Sequence, residues 1–338
     1  MKTYCILIFA IAVFLIGCQP VQKQKIETAE TIVSDPLPSW NEGQTKKTII
    51  SFVETVTNES NPDYIKPADR IAVFDNDGTL WSEQPYYFQL QFALDRVKTL
   101  APDHPEWKKN PVLQAVINND LAKVLSFGEK GLLEIVALSH SGITTDEFSD
   151  AVLTWINTAK HPKTGKLYKE MVYQPMIEVS EYFRANGFKT YIVSGGGVDF
   201  MRPWTQEVYG VPAEQVVGSS MKVAFEIRDG KPVLVKLPEI NFIDDKEGKP
   251  VGIHQYIGKK PVAAFGNSDG DLQMLQYTAS NNLKSLCVYI HHTDSVREWA
   301  YDRNSHIGKL DAGLDEASAK NWTVADMKSD WKNIYLNK

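Results

Sequence analysis

The apolar positions of the chain follow two different periods. Four short, nearly unbroken apolar runs, "RIAVF", "KTYIVS", "VAAFG" and "SLCVYI", have the length and continuity of strands buried on both faces. Between them, apolar residues recur at helical spacing. The clearest case is "QPMIEVSEYFRANG", in which Met176, Ile177, Val179, Tyr182 and Phe183 form one stripe. Pro175 suits a first helical turn, and Asn186-Gly187 suits the C-terminal end. "TKKTIISFVETVTN" shows the same pattern earlier in the chain and ends at Asn58. Strand, helix, strand in repetition predicts an α/β fold: a doubly wound, Rossmann-like parallel sheet with right-handed crossovers.

More than a hundred residues separate the first apolar run from the second, far more than a crossover needs. They carry helical patterns: "PYYFQLQFALDRVKTL", "NPVLQAVINNDLAKVL", "GLLEIVALS" and "TTDEFSDAVLTWINT". In the last, Thr144 and Glu147 stand at capping-box spacing. A helical insert at this point predicts a cap over the sheet edge. A smaller insert, "MKVAFEIRDGKPVLVKL", reads as a hairpin turning at Asp229-Gly230. The expected organisation is a signal peptide over 1–17, a tether over 18–45, a core formed by 46–80 and 170–338, and a helical cap over 81–169.

The N-terminal "MKTYCILIFAIAVFLIGC" is one lysine followed by an apolar run too short for a comfortable membrane span. Its end, "LIGC", resembles the lipobox of bacterial lipoproteins, which implies cleavage before Cys18 and a lipid on its thiol. The alternative is an ordinary secretory signal in which Cys18 is incidental. Gln19 after the cysteine, in place of the aspartate that favours inner-membrane retention, points to the outer membrane on its periplasmic side. The region after Cys18 is polar with scattered prolines and reads as the tether. Cys5 leaves with the signal, so only Cys287 remains, a core thiol within "SLCVYI", and no intramolecular disulfide forms. A formal net charge of -6 disfavours a general nucleic-acid partner, which requires a basic face.

In open α/β sheets the ligand sits beyond the carboxyl ends of the strands. Here those ends read "FDNDGT", "VSGGG", "FGNSDGD" and "YIHHTD". Asp75 and Asp77 repel one another, so the turn is either solvated and ordinary or built around a cation and a substrate. Together, "DNDGT", "SGG" and "GNSDGD" resemble the first, second and fourth motifs of the haloacid dehalogenase superfamily, in its phosphoserine-phosphatase-like branch. The resemblance runs from about Ile71 to the 290s.

That resemblance implies a phosphohydrolase acting on a small phosphorylated substrate. Asp75 would be the nucleophile that forms an aspartyl-phosphate, and Asp77 the acid and base that serves the leaving alcohol and then water. Mg²⁺ would be held by the Asp75 carboxylate, the backbone carbonyl of Asp77, Asn267 and Asp271, with Asp269 outside that set. Ser194 and the amides of Gly195 and Gly196 would hold the phosphoryl oxygens. The family also requires a lysine from a third motif. Lys222, Lys231, Lys236, Lys246, Lys249, Lys259 and Lys260 are the candidates, and Lys249 has the matching placement before "VAAFG", with Lys246 its nearest competitor. The fourth motif departs from the usual form, because Asn267 stands where an acid is typical.

Other residues remain open. Adjacent His291 and His292 diverge if extended, so they would not share a metal. Arg202 suits a substrate contact or a surface ion pair equally, while Trp81, Tyr86, Tyr87 and Phe88 read as cap packing. The expectation is a membrane-tethered, Mg²⁺-dependent phosphomonoesterase of the periplasm. Its rivals are a phosphotransferase with the same residues and a surface binding lipoprotein without turnover.

Overall fold

The computed structural model describes residues 35–336. The segment expected to be a signal peptide, 1–17, and Cys18 lie outside the described residues. The strands are β1 (Ile71–Phe74), β2 (Lys189–Gly197), β3 (Val216–Arg228), β4 (Lys231–Phe242), β5 (Ala263–Gly266), β6 (Leu286–Thr293), β7 (Ala300–Tyr301) and β8 (Thr323–Asp326). They form one sheet of order β4-β3-β2-β1-β5-β6-β7, with β8 also pairing β6. β1 lies at the centre, parallel to β2 and β5. β3 and β6 extend the parallel set outward, and β8 adds to β6 in parallel. Only β4 and β7 run antiparallel to their neighbours.

The unbroken apolar runs are explained by burial on both faces. Ala72 and Phe74 of β1 join one core cluster, in which the Phe74 and Phe265 rings stack at 4.5 Å. Ile71 and Val73, which point the other way, join a second cluster with Val193, Ala264 and Cys287. Alternate residues of the same strand thus meet two different apolar layers. Cys287 is a buried free thiol, as expected.

Helix α1 (Gln44–Thr57) packs Ile49, Phe52, Val53 and Val56 into the first cluster. The insert after β1 contains α2 (Phe88–Leu100), α3 (Pro111–Ile117), α4 (Leu121–Ser126), α5 (Gly128–His140) and α6 (Thr145–Thr158). Leu90, Leu94, Val97, Leu113 and Ile135 give it a core of its own, whereas Phe148, Val152 and Trp155 of α6 pack into the body. Thr144 and Glu147 make the reciprocal capping box at the start of α6. "NPVLQAVINNDLAKVL", read as one helix, is two. Asn119 takes a left-handed φ of 58°, and the Asp120 side chain accepts from the Lys123 amide at 3.0 Å to cap α4. Short Asn and Asp side chains compete with helical bonding in this way.

Helix α7 (Gln174–Ala185) leads into β2, and α8 (Val198–Tyr209) crosses from β2 to β3. The hairpin turns at Asp229 (φ 49°) and Gly230 (φ 75°), the left-handed pair that matches strand twist. Its first strand grows directly out of the parallel sheet, since Val216–Gly218 pair with β2 before the chain reaches Met221. Helix α9 (Gly248–Gly252) precedes β5, and α10 (Leu272–Ala279) links β5 to β6.

The tether assigned to 18–45 runs too far into the chain. Leu37 and Trp40 are fully buried, and the Trp40 indole N–H donates to the Pro175 carbonyl at 2.9 Å. These apolar anchors make residues from 36 onward part of the body.

Candidate active site

Asp75 directly follows β1. Its N–H donates to the Phe265 carbonyl of β5 at 2.9 Å, so strand geometry continues one residue past the apolar run and delivers the carboxylate to the sheet edge. Lys249, on α9, reaches the same point. Its Nζ donates to Asp75 Oδ1 at 2.6 Å, to Asp271 Oδ1 at 2.6 Å and to the Val193 carbonyl at 2.9 Å. All three ammonium hydrogens are therefore used, which is what allows a lysine to be only 1% exposed. Burial and the nearby Asp271 push Asp75 well above the usual carboxylate range, against the pull of Lys249. Burial alone would lower Lys249, but Asp271 and Asp75 outweigh it and hold its pKa above the ordinary value.

Asp271 ties the end of β5 to Lys249. Its Oδ2 accepts from the N–H groups of Asn267 at 2.9 Å and Ser268 at 3.0 Å, while Oδ1 takes Lys249. The side chain closes the turn after β5 and fixes the lysine beside Asp75. Asp269 is turned away, accepting from the N–H groups of Asp311 at 2.9 Å and Gly313 at 2.8 Å.

Asp77 Oδ1 accepts from the Trp81 indole N–H at 2.9 Å. Burial outweighs that bond and pushes the Asp77 pKa up to about 6. Asn76, between the two aspartates, faces elsewhere: its Oδ1 accepts from the Tyr209 hydroxyl at 3.0 Å. Gly78 has φ 77°, and a Cβ there would lie 2.1 Å from Asn267 Nδ2, so only glycine fits. His292 Nε2 bonds the Gly78 carbonyl at 2.8 Å from behind this loop.

Asn267 is clamped. Nδ2 donates to Glu83 Oε1 at 2.7 Å, and the same oxygen accepts from the Tyr301 hydroxyl at 2.8 Å. With its nitrogen donating to Glu83, the amide oxygen of Asn267 faces the first-motif loop, where Thr79 donates to it at 3.2 Å. Glu83 is 1% exposed, and burial holds its pKa well above normal. Among the described residues, no three His, Cys, Asp or Glu side chains come together as a metal cluster. The oxygens that would hold Mg²⁺ are those of Asp75, the Asp77 carbonyl, Asn267 and Asp271, of which Asp75, Asp77 and Asp271 line the cavity. Such a sparse oxygen set fits Mg²⁺, which keeps several waters and takes phosphate oxygens from its substrate.

The end of β2 lies opposite. Ser194 is 1% exposed, and its Oγ accepts from the Gly196 N–H at 3.1 Å. The Gly196 amide is thus spent on Ser194, which leaves the serine hydroxyl hydrogen for a ligand. A Cβ at Gly196 would lie 3.5 Å from Asp77 Oδ2, so the two strand ends nearly touch. Over them lies a cavity of about 400 Å³, whose floor includes Asp75, Asp77, Ser194, Gly195, Lys249 and Asp271.

A family model of haloacid dehalogenase-like hydrolases matches residues 72–276. The chain belongs to this family. The hydrolase is similar in fold to a conserved functionally unknown protein from Anaerococcus prevotii DSM 20548, with 15% identity, 86% of this chain and 94% of that chain covered, and a TM-score of 0.55. A protein with unknown function from Bordetella pertussis Tohama I is also similar, at 16% identity, 76% and 98% coverage and a TM-score of 0.48. So is a phosphoserine phosphohydrolase-like protein from Francisella tularensis subsp. tularensis SCHU S4, at 15% identity, 65% and 87% coverage and a TM-score of 0.34. No curated protein matches the chain.

The fold gathers Asp75, Asp77, Ser194, Gly195, Gly196, Lys249, Asn267 and Asp271 of the hydrolase at one sheet edge, whereas Lys246 is exposed. Arg202 is not among the residues lining the cavity and donates to the carbonyls of Ala213 and Val216, both at 3.1 Å. His291 and His292 diverge, His291 lying 3.5 Å from Asp302. Trp81 packs as expected, stacking on Trp204 at 4.7 Å, but it also bonds Asp77. Glu83 and Tyr301 went unrecognised in the sequence. Neither belongs to a motif, and their partnership spans 218 positions.

Proposed function

We propose that the protein is a Mg²⁺-dependent phosphomonoesterase that works through an acyl phosphate on the Asp75 carboxylate. The observation that carries this reading is the buried Lys249 ammonium shared between Asp75 and Asp271 beneath the cavity. It holds the Asp75 carboxylate in one orientation, with Oδ2 left for bond formation, and it supplies a fixed positive charge where a phosphoryl group arrives.

The metal, held by Asp75, the Asp77 carbonyl, Asn267 and Asp271, would neutralise phosphoryl charge and orient the ester. Asp75 Oδ2 attacks phosphorus; a P–O bond to the aspartate forms as the P–O bond to the alcohol breaks. Asp77 gives its proton to the departing oxygen, and its pKa of about 6 leaves that proton available near neutrality. Water then attacks the same phosphorus, Asp77 takes a proton from it, and the bond to Asp75 breaks to release inorganic phosphate. The Ser194 hydroxyl donates to a phosphoryl oxygen in both steps.

The decisive assay is release of phosphate from phenyl phosphate. Release should require Mg²⁺ and vanish in Asp75→Asn; wild-type rates in that variant contradict the mechanism. We further propose, from "LIGC" in the sequence, that Cys18 carries a lipid that holds the enzyme to a membrane facing the periplasm. Fatty-acid labelling should mark the wild type and not Cys18→Ser, and equal labelling rejects the anchor.

A further inference from the structure

The cavity over Asp75 has a polar floor and apolar walls. Leu132, Leu133 and Val136 of α5, Phe148 of α6 and Ile240 of β4 line it above the phosphoryl end. Of the charged groups in the lining, Asp245 is solvent-exposed, while those among the apolar walls are already committed. Lys236 Nζ is paired with Asp199 and lies 4.6 Å from the centre of the Phe148 ring. His140 is 3% exposed, and its Nδ1 is taken by Ser139 Oγ at 2.7 Å. Its Nε2 is buried with no partner. Burial, with Lys236 and Arg96 nearby, keeps this ring in its neutral form. The residues lining the cavity include no arginine.

Those walls decide which alcohol the cavity accepts. A leaving group bearing its own ammonium and carboxylate would have to shed water against leucine, valine and phenylalanine. It would find no buried unpaired counter-charge there: Lys236 and Asp199 already satisfy each other, and the Asp245 carboxylate in the lining is solvent-exposed, where a pair is worth little. An uncharged ring or branched alkyl group instead replaces water along the whole wall. The volume of about 400 Å³ suits a small ligand.

We infer that the substrate is the phosphate monoester of an uncharged, apolar alcohol, aryl or short alkyl, with Leu132, Leu133, Val136, Phe148 and Ile240 setting that preference. The inference rests on the phosphomonoesterase reading and specifies its leaving group.

The test compares 1-naphthyl phosphate with O-phosphoserine by kcat/KM, and the matching non-hydrolysable phosphonates by equilibrium binding, in the wild type and in Leu133→Lys. Leu133 is 38% exposed, so the lysine can be accommodated without disturbing the core. The naphthyl compounds should win in both measurements by on the order of 10- to 100-fold, the factor for burying a ring-sized apolar group. Leu133→Lys should shrink that advantage roughly tenfold. Comparable values for the two esters, a preference for phosphoserine, or an unchanged advantage in Leu133→Lys overturns the inference. If neither ester is hydrolysed yet the naphthyl phosphonate binds tighter by the stated factor, the cavity assignment stands and the phosphomonoesterase reading falls. Equal binding of the two phosphonates overturns the inference whatever the turnover.

Discussion

Asp75, Lys249 and Asp271 on the cavity floor are 6%, 1% and 1% exposed and are locked together by hydrogen bonds of 2.6 Å. Leu133 and Ile240 on the walls are 38% and 37% exposed and meet the cavity through carbon. The floor is over-determined: each buried charge leans on another, so removing one strands its partner without water. The walls carry no such obligation and tolerate exchange. In this hydrolase the chemistry and the choice of alcohol are therefore separable. Floor changes should affect every ester, and wall changes should affect esters unequally.

The sharpest test of that division is Asp77→Asn. For an alkyl ester the loss should be roughly 10²- to 10⁴-fold, the usual worth of a positioned acid–base group. For an aryl ester with a good leaving group it should be smaller, because little proton transfer is needed. The pH profile carries the same signature. The first step needs Asp77 protonated and its pKa is raised to about 6, so alkyl-ester kcat/KM should fall as pH rises through that value. The aryl ester should be flatter, and the variant should lose this limb. Equal losses for both esters would remove Asp77 from the proton-transfer role.

A smaller effect is expected one layer beneath the floor. Glu83→Leu removes the oxygen that accepts from Asn267 Nδ2. Outer partners of this kind are worth about 10- to 100-fold in metal affinity. Calorimetric titration with Mg²⁺ in the absence of substrate should show weaker binding of that order, and activity should require correspondingly more Mg²⁺. Unchanged affinity would mean that Glu83 only fills space beside Gly308. Smallest of all is the wall variant Leu133→Lys, whose effect should depend on the ester.

The same division governs what could be read from the chain. The floor was legible because its residues sit at strand ends, where an apolar run stops abruptly at Asp75, Ser194 or Asn267. Even there, the hydrogen-bond partners within the site were not. Asp271 at the expected position proved to hold Lys249 and two backbone amides, and the Gly196 amide was spent on Ser194. Hydrogen-bond partners depend on three-dimensional packing, which spacing does not encode. Glu83 was invisible for a further reason: it needs Asn267 at 184 positions' distance and Tyr301 on a two-residue strand to become meaningful. Strand β8 is four residues long and only half buried along much of its length, so it lacks the apolar run that revealed β1 and β5. The walls were seen only as helical periodicity. Which face of α5 would look into the cavity follows from where the insert folds back, not from its sequence.

The account stands on Asp75 as the atom-bearing nucleophile, and acid-quenched enzyme tests it directly. Asp77→Asn, in which the second step is slowed, is mixed with 1-naphthyl phosphate and Mg²⁺, quenched, and reduced with borohydride, which converts an acyl phosphate to an alcohol. Peptide mapping should then find the reduced side chain at position 75, dependent on substrate and absent from Asp75→Asn. Phosphate release without reduction at any carboxylate, or reduction at a different one, would contradict the mechanism.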